Sequence, residues 1–150
     1  MMIWKSPVTL EELEKWNENT IHESLGIRFL EIGDDFLEAS MPVDHRTRQA
    51  VGLLHGGASV VLAESLGSIA SALVVGPLTQ TCVGIEINAS HVGSAERGSV
   101  IGRVTPIRLG RSLHVWNIEI RMADTPVEKP RMICLSRLTV LIRDLRHAKK

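Results

Sequence analysis

The chain has 150 residues, 44 % of them hydrophobic and 23 % charged, which is the composition of one globular domain able to bury a core. Its 17 basic and 17 acidic residues give a formal net charge of zero, so charge does not indicate nucleic acid or an acidic membrane surface as a partner. Cys82 and Cys134 lie far apart, without metal-ligand spacing or a disulfide framework, which predicts two buried thiols in a reduced, cytoplasmic compartment.

The first fifty residues predict a short helix followed by two strands. The opening MMIWKSPVTLEELEKW lacks the apolar run and cleavage site of a signal peptide. Thr9 and Glu12 have the spacing of a capping box, and the helix that they open is predicted to end near Asn17. Strand-like runs then cover residues 26–31 and 36–43, around a Gly33-Asp34-Asp35 turn, and a polar loop covers 44–49.

The central segment predicts one long buried helix, from His55-Gly56-Gly57 to about Val74. Small and aliphatic residues occur all round this helix, and Glu64 is the only full charge between residues 50 and 85. The run is long enough to raise the question of a membrane span. Its serines, Glu64 and the stop at Gly76-Pro77 favour a core helix instead.

The rest of the chain alternates with a period of two, which predicts antiparallel strands with one covered face. Gly110 marks a turn, residues 124–129 a longer hairpin loop, and the basic tail from about residue 143 is expected to fray. The predicted fold is α+β, a single domain of one sheet wrapped around one helix, with a second copy of the chain covering the rest of the helix. The apolar alternation comprises Val83, Ile85, Ile87 and Ala89; His114, Trp116, Ile118 and Ile120; and Cys134, Leu138, Val140 and Ile142.

Glu64 is the strongest functional signal in the sequence. An unpaired carboxylate in a buried helix costs several kcal/mol or stays protonated. Folding alone would favour Leu or Ala at this position, so a catalytic carboxylate is one interpretation. The other is a structural glutamate that meets an arginine or reaches solvent at an interface.

The His55-Gly56-Gly57 segment could bind a developing negative charge. The first N–H groups of a helix have no intrahelical partner, and glycine allows a ligand to approach the backbone closely. Gly56 and Glu64 are eight residues apart, or about 12 Å along one helix axis. If both are catalytic, Glu64 must meet the Gly56 N–H of another subunit. Ser68, one turn after Glu64, could bind the carboxylate or a water molecule, or simply pack against a neighbouring element.

Other polar residues carry weaker signals. Gln49 could position a carbonyl or a water, and His91, Arg108 and Arg111 could contact phosphate, although each could equally be a solvated surface residue. The G-x-S-x-G, phosphate-loop and dinucleotide patterns are absent from the sequence, and its histidines lack metal-ligand spacing.

The segment QAVGLLHGGASVVLAESLGS strongly resembles the hotdog-fold acyl-CoA thioesterases. The similarity is greatest to the bacterial group that contains 1,4-dihydroxy-2-naphthoyl-CoA hydrolase and the enterobactin proofreading thioesterase. It extends over nearly the whole chain, through the opening IWK, the segment MPVDHRTRQ, the strand VGIEINASH and the P-x-x-L-G-R turn.

The resemblance implies a thioester hydrolase that needs no metal or redox cofactor, coenzyme A being part of the substrate. It also implies dimers with shared active sites, usually paired into tetramers. Glu64 matches the catalytic carboxylate, Gly56 the oxyanion N–H, Gln49 and His55 substrate-orienting positions, and Ser68 the helix serine. The nucleotide end of coenzyme A is expected at the surface near Ser90, His91, Arg108, Arg111 and Ser112.

Two departures from the relatives concern the substrate. Gly93 stands where relatives often have Arg, and Ala50-Val51 stands where they often have Pro-Phe. The acyl group is therefore left open among a naphthoyl-CoA of quinone (menaquinone) biosynthesis, an aryl group on a carrier protein and a fatty acyl-CoA. Two other functions also remain open: a hotdog acyl-CoA hydratase or dehydratase, and a non-catalytic acyl-CoA-binding module.

Overall fold

The computed structural model describes residues 1–5, 7–76, 78 and 80–145. The elements follow the predicted order, with one additional short helix. They are α1 Leu10–Asn17, α2 Ile21–Ser24, β1 Arg28–Ile32, β2 Leu37–Pro42, α3 Gly56–Val75, β3 Gln80–His91, β4 Ser99–Leu109, β5 Leu113–Met122 and β6 Met132–Asp144.

The six strands form one antiparallel sheet in the order β1-β2-β4-β5-β6-β3. Helix α3 packs along one face of this sheet, and eleven of its twenty residues are buried. Apolar side chains from β4, β5 and β6 meet it there, and Val104, Trp116 and Leu138 are fully buried. The predicted α+β arrangement is therefore confirmed, and α3, although long and apolar enough to cross a membrane, is the core helix of the domain.

Helix α1 begins at the predicted capping box. The Thr9 hydroxyl accepts a hydrogen bond from Glu12 N–H (3.2 Å), and the Glu12 carboxylate accepts one from Thr9 N–H (2.8 Å). These bonds satisfy two N–H groups that have no partner within the helix. The helix ends at Asn17, as predicted.

Helix α2 occupies a segment where no element was predicted, because four residues are too few to establish a period. It ends in a Schellman motif, in which Gly26 N–H donates to Glu23 O (3.0 Å) and Ile27 N–H to His22 O (2.9 Å). Gly26 has a φ of +69°, a conformation that glycine adopts without strain. The following strand consequently begins at Arg28 and not at Gly26.

Strand β3 departs from the predicted alternation. Val83 and Ile85 were expected on the covered face, but they are 48 % and 55 % exposed. The register shifts between Gly84 and Glu86, so Ile85 is an extra residue without a partner on β6. This β-bulge exchanges the two faces of the strand. Cys82 and Gly84 therefore face α3 before the bulge, and Ile87 and Ala89 face it afterwards.

The alternation predicted for β5 and β6 is confirmed, since His114, Trp116, Ile118 and Ile120 are all buried, as are their β6 counterparts. Strand β6 continues through Arg143 and Asp144, two residues into the tail that was expected to fray. Its end is held by a bond from Ile142 N–H to Ser112 O (2.9 Å). The remainder of that tail, residues 146–150, lies outside the described residues.

Candidate active site

The N-terminus of α3 presents a backbone donor that is free to bind a ligand. His55 is the N-cap residue, and its Nδ1 accepts a hydrogen bond from Gly57 N–H (2.8 Å). Gly56 N–H has no hydrogen-bond partner among the described residues. This N–H therefore combines an open position with the positive end of a twenty-residue helix dipole.

The N-cap hydrogen bond also selects the tautomer of the neutral His55 ring. Because Nδ1 accepts a hydrogen bond, the proton of the neutral ring is on Nε2. His55 is exposed, so Nε2–H can donate to a ligand beside Gly56. The backbone of His55 is held by a bond from its N–H to Thr47 O (2.8 Å), which ties the helix start to the preceding loop.

His91, at the end of β3, lies against Gly56. A β-carbon added at Gly56 would be 2.7 Å from His91 Nε2, closer than side chains pack. Glycine at position 56 thus makes room for the imidazole as well as for a ligand. The sequence suggested Gly56 and His91 as separate candidates, and in the structure His91 lies beside Gly56, the predicted oxyanion donor.

Gln49 lies in the loop before α3, where one end of its side-chain amide is bound within the loop. Its Oε1 accepts a hydrogen bond from Val51 N–H, and its backbone N–H donates to Leu53 O (2.8 Å). The side-chain NH₂ group has no partner among the described residues and could donate to a substrate carbonyl. A role in orienting a carbonyl or a water stays a prediction.

Glu64 lines a groove of about 360 Å³ between α2 and α3. Burial raises the pKa of its carboxyl group. Neither a salt bridge nor a hydrogen bond to the carboxylate occurs among the described residues, so the chain itself does not supply the arginine of the structural interpretation. The other groove residues are Ile21, His22, Val60, Val61, Ser65, Ser68 and Ile69.

Ser68 lies one turn beyond Glu64 in the same groove. Its backbone carbonyl accepts a weak bond from Cys82 Sγ (3.6 Å), but its hydroxyl has no partner within the described part of the chain. The hydroxyl is thus available for a carboxylate or a water. By contrast, the neighbouring Ser65 donates to Val61 O (2.6 Å) and is occupied within the helix.

His22 is a groove residue that the sequence did not reveal. The Asn17 amide donates through Nδ2 to Ile27 O (3.2 Å), which leaves Asn17 Oδ1 as an acceptor for His22 Nδ1 (2.8 Å). The proton of the neutral imidazole is therefore on Nδ1, and Nε2 is an acceptor. Burial lowers the pKa of His22, so the ring is neutral at pH 7. No motif marks this histidine, because only the fold of α2 onto α3 brings it to the groove.

The nucleotide-binding residues expected at the surface do not come together within one chain. His91 pairs with Cys134 on β6, whereas Leu113, next to Ser112, pairs with Leu141. These β6 residues are seven positions apart, or about 23 Å along the strand. Ser90 and His91 are therefore at one end of the sheet, and Arg108, Arg111 and Ser112 are at the other.

Gly93 is packed too tightly to carry a side chain. Its N–H donates to Ile133 O (3.2 Å), and a β-carbon at this position would overlap the carbonyl oxygen of Met132. The segment after His91 is drawn onto β6, which is the physical reason why an arginine does not fit here. Among residues 1–5, 7–76, 78 and 80–145, no group of three or more His, Cys, Asp or Glu residues could hold a metal ion.

Comparisons with known proteins identify the class. A family model described as the thioesterase superfamily matches residues 51–129. The 1,4-dihydroxy-2-naphthoyl-CoA hydrolase of Escherichia coli K12 is 55 % identical over 141 residues, which cover 94 % of this chain and 99 % of that protein. The proofreading thioesterase EntH of Cronobacter turicensis is 48 % identical over 141 residues, which cover 94 % of this chain and 98 % of that protein.

Solved structures give the same result. The thioesterase HI1161 of Haemophilus influenzae superposes with a TM-score of 0.91 and 43 % identity, over 99 % of this chain and 100 % of that one. The sheet wrapped along one long helix is the hotdog fold of the thioesterases. The chain belongs to the thioesterase superfamily, and it is a thioester hydrolase, as the sequence predicted.

Proposed function

We propose that the chain hydrolyses acyl-CoA thioesters to a free acid and coenzyme A, with Glu64 as its catalytic carboxylate. The observation that carries this proposal is the Glu64 side chain, an unpaired carboxylate of raised pKa in a groove that it shares with aliphatic side chains and with Ser68. Such a group is costly for folding and suited to chemistry. Its neighbour Ser68 can hold the carboxylate or the attacking water.

The two halves of the site belong to different subunits of a dimer. Strand β3 is a twelve-residue edge strand with exposed Val83 and Ile85, which is a template for pairing with another chain. A twofold axis near the middle of β3 makes two such edges antiparallel and places the two α3 helices antiparallel beside each other. Glu64 of the partner subunit then approaches Gly56, which a Glu64 about 12 Å away on the same helix cannot do.

In this arrangement Gly56 N–H polarises the thioester carbonyl and binds the developing oxyanion. His55 Nε2–H and the Gln49 amide orient the thioester. In one route Glu64 attacks the carbonyl, the C–S bond breaks with release of the coenzyme A thiolate, and water then hydrolyses the acyl-enzyme anhydride. In the other route Glu64 removes a proton from a water that attacks the carbonyl, and the C–S bond breaks to give the free acid and the thiolate, which takes up a proton. These residues suffice without a metal or redox cofactor.

Solved relatives support roles for Gln49 and Glu64. The crystal structures of Staphylococcus aureus SAV0944, 33 % identical to this chain, include a variant with one glutamine and another with one glutamate replaced by alanine. The two replaced positions are 15 residues apart, which is the separation of Gln49 and Glu64. A further variant with a glutamine replaced is that of PA1618 from Pseudomonas aeruginosa.

The acyl group is proposed to be aromatic, such as 1,4-dihydroxy-2-naphthoyl, on coenzyme A, which would place the enzyme in menaquinone biosynthesis. The name of the Escherichia coli relative supports this class of substrate. An aryl thioester on an acyl-carrier protein is the alternative substrate to compare. Four of the eight residues that line the groove are aliphatic, and such side chains accept a flat ring as readily as a chain.

The nucleotide end of coenzyme A is proposed to lie between subunits. Antiparallel β3 edges bring the Ser90–His91 end of one protomer towards the end of its partner that carries the β4–β5 hairpin. Arg108, Arg111 and Ser112 of that hairpin can then contact the phosphates. Pairing of dimers into tetramers and a cytoplasmic location complete the proposal.

Thiol release from a panel of aryl- and alkyl-CoA thioesters tests the function. Wild type should turn over at least one aryl-CoA, and Glu64→Ala should lose at least about 100-fold in kcat, near 2.7 kcal/mol of barrier. The matched control is Glu31→Ala, which removes an exposed carboxylate on β1 and should remain within twofold of wild type. A Glu64→Ala variant as active as wild type would contradict the assignment of Glu64.

One observation supports a second activity, that of an acyl-CoA hydratase. That chemistry pairs a carboxylate with a histidine, and the neutral His22 lines the same groove as Glu64. Incubation with an enoyl-CoA separates the two reactions, because hydration leaves the thioester intact whereas hydrolysis frees a thiol. Loss of the enoyl absorbance without thiol release would establish the hydratase.

A further inference from the structure

Gly84 of β3 lies directly opposite Glu64. A β-carbon built at Gly84 would overlap Glu64 Oε1 and would lie 3.1 Å from the carboxyl carbon, Cδ. The next atom, Leu138 Cδ1, is 3.4 Å away and in ordinary contact. The Glu64 carboxylate therefore occupies the space that a side chain at position 84 would fill.

The β-bulge creates this juxtaposition. In a regular strand without the bulge, the alternation that puts Ile87 and Ala89 on the covered face would put Val83 and Ile85 there as well. The bulge turns Gly84 towards α3, at the level of Glu64. A glycine in a strand interior weakens the strand and often marks a bulge or a site of close approach, and Gly84 is both beside a bulge and against the Glu64 carboxylate.

Other glycines between helix and sheet have a different environment. A β-carbon at Gly102 of β4 would be 2.7 Å from Leu66 Cδ1 and 3.2 Å from two Leu62 atoms. There the glycine makes room for aliphatic packing of the same helix. Gly84 differs in making room for a charge-bearing group, and Gly102 is thus a matched control for the packing effect alone.

We propose that Gly84 is a positioning residue that sets how far the Glu64 carboxylate withdraws towards β3, and thereby its distance from the substrate. This inference rests on the proposed function, in which Glu64 is the catalytic carboxylate. A methyl group at position 84 displaces the carboxylate into the groove, where it no longer has the geometry of attack. Because a one-methylene-shorter Asp does not reach Gly84, the effect of the methyl group depends on the residue at position 64.

A double-mutant cycle between positions 84 and 64 tests the inference. Gly84→Ala should lower kcat at least 10-fold with KM within threefold, whereas Gly102→Ala should stay within threefold in both. In a Glu64→Asp background, Gly84→Ala should cost less than threefold, while the small effect of Gly102→Ala should be unchanged. Equal effects of Gly84→Ala in the two backgrounds, or effects equal to those of Gly102→Ala, would overturn it.

Separate measurements distinguish a folding defect, and a failure of the proposed function, from a failure of the inference about Gly84. If Gly84→Ala alone does not give folded oligomer, recovery of folded protein in the Gly84→Ala/Glu64→Asp variant supports the steric coupling, and failure to recover overturns it. Glu64→Ala alone reports on the proposed function. If Glu64→Ala remains active, the proposed function is wrong, whatever the double-mutant cycle shows. If Glu64→Ala is inactive and the effects of the position 84 and position 64 substitutions are additive, only the proposed role of Gly84 is wrong.

Discussion

At the scale of single residues, the proposed chemistry depends on groups that have no hydrogen-bond partner within the described part of the chain. Gly56 N–H, the Ser68 hydroxyl and the Glu64 carboxylate have none among the described residues, while their neighbours Gly57 and Ser65 are satisfied locally. The Glu64 carboxylate and the Ser68 hydroxyl share one groove, where a ligand or a partner subunit can bind them. The energetic cost of the partly buried carboxylate can be measured at Glu64.

We expect Glu64→Gln to stabilise the protein at pH 7.5. Burial raises the folded-state pKa of Glu64 above its ordinary value of 4.5, so the ionised carboxylate is less favourable in the folded chain than in the unfolded chain. The stabilisation should be at most about 1 kcal/mol, because water still reaches the group. It should vanish below about pH 4, where both states are protonated.

Urea unfolding at fixed protein concentration, at pH 7.5 and pH 4, gives this difference. A Glu64→Gln variant that is less stable than wild type at pH 7.5 would mean that a partner group stabilises the charge. In that case the carboxylate would belong to an ion pair between subunits.

At the scale of elements, α3 is held to the sheet by one buried polar cluster as well as by apolar packing. Trp116 Nε1 donates to Ser71 Oγ (2.7 Å), and His114 Nδ1 lies 3.1 Å from the same oxygen. His114 and Trp116 are 2 % and 0 % exposed. The cluster fixes the register of the C-terminal half of α3 on β5, and it is sensitive to the charge of His114.

We expect the free energy of unfolding to decrease as the pH falls below about 6.5. Burial lowers the pKa of His114 from that ordinary value, so between the two pKa values the unfolded chain binds a proton that the folded chain does not. The slope from one such group is at most about 1.4 kcal/mol per pH unit. Above pH 7 the imidazole is neutral in both states, and its contribution is flat.

The measurement is urea unfolding between pH 7.5 and pH 5. His114→Phe keeps the hydrogen bond from Trp116 to Ser71. It should reduce the slope of the unfolding free energy against pH by an amount that corresponds to at most one bound proton. His45→Gln, which removes a histidine whose side chain is 88 % exposed, should leave it unchanged. A wild-type slope retained in His114→Phe would assign the acid sensitivity to other groups, of which His22 is the first candidate.

At the scale of the whole molecule, a single chain holds the two proposed half-sites, and its sheet ends at the twelve-residue edge strand β3. The Gly56 half lies near His91, and the Glu64 half lies near Gly84 and Cys82, further along the same strand. Both halves therefore border β3, the strand that a twofold axis would pair. Assembly and activity should consequently be lost together.

We expect Ile85→Glu to weaken the dimer at least 10-fold and to reduce activity in proportion. Ile85 lies in the middle of β3, so the change brings new carboxylates near the twofold axis beside Glu86, and like charges there repel. Sedimentation velocity over a range of concentrations, with thiol release on the same samples, gives both quantities.

The matched control is Ile107→Glu. Ile107 is also an extra residue at a register shift and is 51 % exposed, but it lies on β4, three strands away from β3. It should leave the β3-mediated dimer intact. A monomeric Ile85→Glu that retains full activity would show that one chain contains a complete site.

The sequence by itself determined the elements whose physical cause is local. The capping box, the long apolar helix and the period-two alternation of β5 and β6 follow from local hydrogen bonds and from alternation, and they appear where they were expected. The isolation of Glu64 within 36 residues singled out one carboxylate, because a charge in a buried helix is anomalous wherever the helix is placed. Spacing along α3 also separated Gly56 from Glu64.

Only the tertiary structure decided which distant residues meet. His22 reaches the groove through a four-residue helix, His91 reaches Gly56 across the sheet, and Gly84 reaches Glu64 through a bulge that reverses the alternation of β3. Sequence periodicity cannot locate such a bulge, because one inserted residue leaves an apolar run that still looks regular. These contacts depend on strand register and on packing between elements, which are set by the whole core and not by any one segment.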